Sequence, residues 1–277
     1  MFTMRKVTKI TLRCFVCLLL VVICLSLFGC QSNIEANRQR HINSINHRGY
    51  KDAPENTLSA FRLSKEMGFD MVECDVSFTK DNVPVLLHDG SVNRTSNGTG
   101  KISNLTLDEV RQFDFGSWKN TRYAGETIPT FQEFLDLCIE LDLYPYIEIK
   151  NGASLQHARQ LVEMVDKTDL SVTWLARDRN ILQLIAELRS GDRIGLVTAF
   201  IIRDDLKFLS NLSKTVEVFV DCNYFTLTSK QILNCKLYKI PLEVWTLNSQ
   251  AIIENIDPYI TGVTSDYLIA QDIFNNM

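Results

Sequence analysis

A chain of 277 residues, 45% apolar and 22% charged, has the material for one large globular domain or two small ones. Four of its 29 basic residues (Arg5, Lys6, Lys9 and Arg13) precede position 30, where no acidic residue occurs, so the remainder carries 25 basic against 33 acidic residues, a net of −8. That balance argues against a broad nucleic-acid or anionic-lipid footprint, and an anionic ligand would need a local positive site.

The chain opens with that basic cluster and a run from Cys14 to Cys30 that holds no charged residue. The run is slightly short for a transmembrane helix, which needs about 20 residues. A basic stretch before a short apolar one reads as a secretory signal over residues 1–29. It ends Leu27-Phe28-Gly29-Cys30, which resembles a bacterial lipobox with Phe28 where a smaller residue is usual, so Cys30 is the expected lipidation site and new N-terminus. The alternative is an uncleaved anchor helix. Either reading places the rest of the chain outside the cytoplasm, anchored to the bacterial cell membrane. Residues 30–43 read as a polar tether, and 44–277 as one domain with no Pro/Gly/Ser-rich linker and no repeat.

Strand and helix signals then alternate. Ser44–His47 is short and extended, and Asn56–Met67 reads as a helix ended by Gly68. Met71–Phe78 is a strand, Asp81-Asn82 a turn, and Val83–His88 a second extended run. Too few residues separate the two runs for a parallel crossover, so they should form a hairpin that carries His88 back to the level of Glu73 and Asp75. Residues 89–128 read as an insertion with one short helix capped by Thr106 and Glu109. Thr130 and Glu133 form a second capping box, opening a helix to about Leu141. Tyr144–Lys150 is a strand and Ser154–Asp166 a helix, with Leu155, Ala158, Val162 and Val165 on its apolar face. Strands follow at Val172–Ala176, Ile194–Thr198, Val216–Cys222, Leu242–Leu247 and Gly262–Ser265. Helices lie between them at Asn180–Leu188, Asp204–Leu212, Thr228–Cys235 and Ile252–Ile256. With the hairpin set aside, eight apolar strands separated by helices imply a parallel sheet covered by helices, and their number and length fit an α/β (β/α)₈ TIM barrel. A doubly wound open sheet is the competitor, weakened because no Gly-rich phosphate loop follows the first strand.

Side chains alternate along a strand, so Glu73 and Asp75 share one face while Cys74 points the other way, toward the helix layer. Glu148 and Lys150 repeat the spacing on another strand. Three carboxylates from two strands suit calcium or magnesium, and the plainer reading is a set of strand-end salt bridges with Arg48 and Lys150. His47, at a strand's C-terminal end, and His88, arriving from the hairpin, are candidates for proton transfer. Arg48 is suited to clamp a phosphate, with Lys150 as a second charge; for each the alternative is a carboxylate partner. Trp245 either walls the pocket or packs in the core. His41, near the tether, and His157, on the polar face of its helix, are assigned no function. Cys74, Cys138, Cys222 and Cys235 lack metal-ligand spacing, which argues against zinc, and read as mostly free, buried thiols.

In order and spacing, HRGYKDAPENTLSAF, VECDVSFTKDNVPVLLHD, NRTSNGTG, AGETIPTFQEFL, YIEIK, VWTLN and GVTSDY resemble the glycerophosphodiester phosphodiesterase family over nearly all of the chain beyond Ser44. The resemblance implies a phospholipase-C-like barrel with a small insertion. It also implies a divalent ion on Glu73, Asp75 and Glu148, acid–base roles for His47 and His88, and phosphate contacts from Arg48 and Lys150. The implied reaction is hydrolysis of a glycerophosphodiester to glycerol 3-phosphate and an alcohol, the substrate's own 2-hydroxyl attacking first to give a cyclic phosphate. A lysophospholipase D acting on lysolipids, or an inactive barrel used as a surface binding protein, are the alternatives. Glu55 and Asn56 match the family's PENT element. The chain departs from the pattern at Cys74, where an aliphatic residue is more usual, and at Thr264-Ser265-Asp266-Tyr267, where Thr-Asp-Tyr-Pro is more usual. Neither departure is expected to touch the proposed site residues.

Overall fold

The last apolar strand returns beside the first, and this closes the sheet. In the computed structural model, which describes residues 42–268, β1 (Asn43–His47) pairs in parallel with β2 (Met71–Phe78) on one side and β9 (Ile260–Ser265) on the other. Around the ring from β2 follow β4 (Tyr144–Ile149), β5 (Thr173–Ala176), β6 (Arg193–Thr198), β7 (Glu217–Asn223) and β8 (Leu242–Trp245), every neighbour parallel. This is an eight-stranded barrel with helices between the strands, as the alternation of signals implied. The expected leader, the lipidation site Cys30, nearly all of the tether and His41 lie outside the described residues. The first strand begins at Asn43, just inside the expected tether.

The helices start where their caps place them. Thr57 accepts from the Ala60 amide at the head of α1 (Leu58–Glu66). Thr106 and Glu109 box the short α2 (Leu107–Val110), and Thr130 and Glu133 box α3 (Phe131–Leu141). Ser154 caps α4 (Leu155–Val165), and its box partner is His157, whose ring also stacks on Phe78 at 3.9 Å. That gives His157 a structural task. Such caps satisfy helix amides that have no intrahelical acceptor. Then come α5 (Arg179–Leu188), α6 (Arg203–Leu212), α7 (Ser229–Tyr238) and α8 (Gln250–Ile253). The last of these sits earlier than expected. Leu155 is also misassigned by periodicity: at the first position of α4 it is 48% exposed, while Ala158, Leu161, Val162 and Val165 are buried.

Two apolar layers form on opposite sides of the strands. The outer one, between strands and helices, includes Val72, Cys74, Ile147, Trp174 and Leu206. Cys74 therefore faces the helices, and Cys138, Cys222 and Cys235 are also buried thiols. The inner one, filling the barrel, is Ile45, Tyr146, Leu175, Val197 and Phe219. Each such side chain contributes about 1.5–3 kcal/mol by leaving water. Beneath it, Arg193 contacts Glu243 (3.2 Å) and the Tyr146 hydroxyl (2.9 Å), and Asn43 donates to Glu243 at 3.2 Å, so the lower end is closed by a paired polar network.

The departure from barrel regularity is β3 (Pro84–Leu86), antiparallel to the far end of β2. Ser77 and Phe78 run past the last residue paired with β4 and pair with β3 instead, so the hairpin projects above the barrel. Residues 89–128 build on it and pack Val85, Leu87, Val92, Ile102, Val110, Phe115 and Ile128 into a small core of their own.

Candidate active site

The upper, C-terminal ends of the strands gather the charged residues. Glu73 and Asp75 project inward from β2, only 4% and 1% exposed, and Asp75 is in register with Glu148 on β4. One oxygen from each of the three carboxylates lies within 4.8 Å of the others. The hairpin brings the Leu87 amide to the Asp75 carbonyl at 2.9 Å, and His88 opens onto the same pocket as His47, Arg48, Glu73, Glu148 and Lys150.

The turn after β1 is built for this cluster. Arg48 (φ 56°) and Asn56 (φ 57°) both occupy the left-handed region that non-glycine residues avoid. Their backbones are tied, the Asn56 amide donating to the Arg48 carbonyl at 2.8 Å. The Arg48 amide donates to Glu73 Oε2 at 3.1 Å. Asn56 Nδ2 donates to Asp75 Oδ2 at 2.8 Å, and Asn56 Oδ1 accepts from the Asp75 amide at 3.1 Å. Gly49 (φ 81°) permits the turn, since a Cβ there would sit 2.5 Å from that of Ala60 on α1. Strained residues held by several contacts mark functional sites.

Both candidate phosphate ligands pair with carboxylates. Arg48 Nε lies 3.1 Å from Asp75 Oδ2, and its Nη1 donates to Glu55 at 3.0 Å. Lys150 Nζ lies 3.0 Å from both Asp75 Oδ1 and Glu148 Oε1. Burial raises the Asp75 carboxyl pKa, but Lys150, Arg48 and His88, with the Asn56 hydrogen bond, outweigh it and hold Asp75 well below the usual range. Glu73 moves the other way, pushed up by burial and then by Asp75 and Glu148. Glu148 is also raised, by burial and then Asp75, against Lys150. Three converging carboxylates, Glu73 and Asp75 buried and Glu148 half-buried, two of them raised by burial and mutual repulsion, fit a hard divalent cation, whose charge would favour the ionised forms.

Each histidine has an orienting aspartate to which sequence reasoning assigned no role. His47 Nδ1 lies 2.9 Å from Asp266 Oδ1, and Asn248 Nδ2 donates to Asp266 Oδ2 at 2.6 Å. His88 Nδ1 lies 2.7 Å from Asp89 Oδ1, and Asp89 also accepts from Arg94 Nε at 2.7 Å. The Arg94 hydrogen bond is the main reason that the Asp89 carboxyl falls to about 2. Burial raises Asp266, but the His47 hydrogen bond and charge leave it below the usual range. An ionised carboxylate only accepts, so each Nδ1 carries its proton and each Nε2 is left to exchange one. Asp266 belongs to the Thr264–Tyr267 departure, which was expected to stay clear of the site. Its contact with His47 corrects that, because β9 lies beside β1 in the closed barrel. Arg94 continues to Glu55 at 2.6 Å, linking the His88 pair to Arg48.

Trp245 lines the pocket and also touches the inner core, so both readings of it hold. Arg177 and Asp221 line the pocket too and were not anticipated. Beside His47 and Arg48 an outer groove of about 310 Å³ runs past Trp118, Lys119 and Asn248.

Residues 47–268 match the family model described as the glycerophosphoryl diester phosphodiesterase family. A glycerophosphodiester phosphodiesterase of Caldanaerobacter subterraneus is 30% identical, over 80% of this chain and 93% of that protein. A putative one of Bacillus subtilis is 31% identical over the same shares. Among solved structures, a phosphodiesterase of Oleispira antarctica in complex with the product sn-glycerol-3-phosphate superposes with a TM-score of 0.75 at 26% identity, covering 83% of this chain and 94% of that one. A second, from Silicibacter pomeroyi, superposes with a TM-score of 0.74 at 19% identity, covering 89% and 98%, and supports the fold.

Proposed function

The chain belongs to the glycerophosphoryl diester phosphodiesterase family, and on that premise we propose metal-dependent hydrolysis of glycerophosphodiesters to glycerol 3-phosphate and an alcohol, by His47 and His88. The observation that carries the reading is the convergence of two aspartate-oriented histidines, a cluster of three carboxylates and two cations at one pocket on the C-terminal face of the barrel.

Glu73, Asp75 and Glu148 would hold the cation, calcium or magnesium, which supplies neutralisation of the phosphate charge as it grows toward the transition state. Arg48 and Lys150 turn from their carboxylate partners to the phosphate oxygens and orient the diester. One histidine accepts the proton of the attacking hydroxyl at Nε2, and the other protonates the departing alkoxide. Asp266 and Asp89 keep each ring in the tautomer that this requires. The attacking group is the substrate's 2-hydroxyl, which expels the alcohol and leaves a cyclic phosphate that water then opens to glycerol 3-phosphate, with the two histidines exchanging roles; a rapid-quench time course with no cyclic phosphate would count against that route. The outer groove gives the alcohol a way out. Phe200, Ile202 and Phe225, exposed just beyond β6 and β7, favour lysolipids as a second substrate class.

The deciding assay is release of glycerol 3-phosphate from a panel of glycerophosphodiesters, and of lysophosphatidate from lysolipids, by the full chain with calcium, magnesium or a chelator. Release should require the metal and fall by about 10²–10⁴ in His47→Ala and His88→Ala. Release indifferent to the chelator and to both substitutions would sink the mechanism. For location, the proposal is export by residues 1–29 and lipidation at Cys30. Among the described residues no helix is long and apolar enough to cross a membrane. Mass spectrometry of the mature N-terminus tests the proposal, and an unmodified, uncleaved chain would refute it.

A further inference from the structure

Directly across the barrel from the carboxylate cluster stands an acidic residue that the mechanism leaves idle. β7 is the sixth strand around the ring and β2 the second, so Asp221 on β7 faces Glu73 and Asp75 across the mouth. In register with Val197, it projects inward above the apolar floor of Leu175 and Val197 and beside Trp245. The residue is only 6% exposed, and its Oδ1 is fully buried with no hydrogen-bond partner. Elsewhere in the interior such groups are paired: Glu243 meets Arg193 and Asn43, and Asp192 accepts from Trp174. An unpaired buried carboxyl costs stability, and one retained at the wall of a binding pocket is an acceptor held ready for a donor from outside.

Resting on the proposed phosphodiesterase reading, we propose that Asp221 determines specificity by accepting a hydrogen bond from a hydroxyl of the substrate. A diester whose phosphate lies at Arg48, Lys150 and the carboxylates extends one of its arms across the pocket, over the apolar floor of Leu175 and Val197 toward Asp221. The hydroxyl belongs either to the glycerol or to the leaving alcohol. The narrow space beside Asp221 suits the three-carbon glycerol, because the alcohol has the outer groove.

The test measures calorimetric affinities of the calcium-loaded full chain for glycerol 3-phosphate and for n-propyl phosphate, which lacks the hydroxyls. Wild type should prefer glycerol 3-phosphate by about tenfold or more, the penalty of leaving a buried acceptor unmet. Asp221→Ala should bring the two affinities to within about twofold by weakening glycerol 3-phosphate alone. Asp221→Asn, which keeps the volume and one acceptor oxygen, should hold an intermediate preference. Melting temperatures of both variants should equal or exceed wild type. A preference unchanged in Asp221→Ala, together with unchanged kcat/KM on every diester, overturns the proposal, as does an equal loss for both ligands with a lowered melting temperature, which marks a structural residue. The ratio of kcat/KM for glycerophosphocholine and glycerophosphoglycerol locates the hydroxyl. A ratio unmoved by Asp221→Ala assigns it to the glycerol, and a selective loss on glycerophosphoglycerol assigns it to the alcohol. Wild type that binds both phosphates with the expected preference yet cleaves no diester would refute the phosphodiesterase reading and leave the Asp221 contact standing.

Discussion

Asn56 makes a sharp test of how the site is assembled. It is 3% exposed, holds φ at 57°, and grips Asp75 at both the carboxylate (2.8 Å) and the amide (3.1 Å). In Asn56→Gly the left-handed backbone is kept but both bonds are lost. A hydrogen bond to a charged group is worth about 1.5–3 kcal/mol, and an orphaned buried amide adds about 1–3. The expected loss is therefore about 3–5 kcal/mol. Asn56→Ala adds about 1–2 kcal/mol more because its Cβ resists the left-handed region. Asn56→Asp should be the least tolerated, since it sets a second buried carboxylate against Asp75. Urea unfolding at neutral pH measures all three. Asp75, no longer held, should misplace its oxygens, and glycerol 3-phosphate release at limiting calcium should fall about 10–100-fold, recovering in part at high calcium. Wild-type stability in Asn56→Gly, or an alanine variant as stable as the glycine one, would refute both the clamp and the backbone argument.

Asp89→Ala and Asp266→Ala should each lower kcat by at least about tenfold, because the imidazole tautomer is no longer fixed; unchanged kcat in both would dismiss the aspartates as orienting groups. Gly195 lies inside the barrel, where an added Cβ would come within 2.5 Å of Leu175 and Phe219, so Gly195→Ala should cost about 1–3 kcal/mol in a thermal melt, and a neutral result would mean the core is looser than drawn. Burial, then Glu243 and Glu148, push the Asp221 carboxyl well above its ordinary value against the opposing pull of Arg177. A carboxyl raised on folding contributes stability that is present below its unfolded value of about 3.9 and is lost as pH rises through the folded one. Asp221→Asn should accordingly gain on wild type as pH climbs from about 4 toward neutrality; a gap in urea stability that stays flat or narrows over that range would reverse the sign.

The parts of this molecule that could be read from the sequence depend on neighbours along the chain. The Thr130–Glu133 box, the return from Phe78 to Pro84 and the shared face of Glu73 and Asp75 all lie within a few residues, and the structure has each where the spacing put it. Closure of the barrel was inferred from number alone, and what closure brings together was not visible. Asp266 reaches His47 across 219 positions only because β9 pairs with β1 in the observed register. Arg94 meets Glu55 because the insertion folds back over the first turn. Asp221 did leave a signal: an acidic residue in the apolar run Val218-Phe219-Val220-Asp221-Cys222, two places from the inward Phe219. Its weight depended on knowing which face was the interior.

Charge balance explains why the upper face is strained and paired while the lower one is closed. Glu55, Glu73, Asp75, Asp89 and Glu148 stand against Arg48, Arg94 and Lys150, so the connected cluster is short of positive charge by two if all ionise. A lone phosphodiester brings another negative charge and would be repelled from such a mouth. A divalent cation on Glu73, Asp75 and Glu148 makes up that deficit, and it would also release Arg48 and Lys150 from Asp75 to meet the phosphate. Asp221 has no hydrogen bond into this cluster at Oδ1, although Glu148 raises its pKa and Arg177 lowers it through space. On the reading proposed for it, a neutral donor, the substrate hydroxyl, would offset its energetic cost at the far side of the pocket.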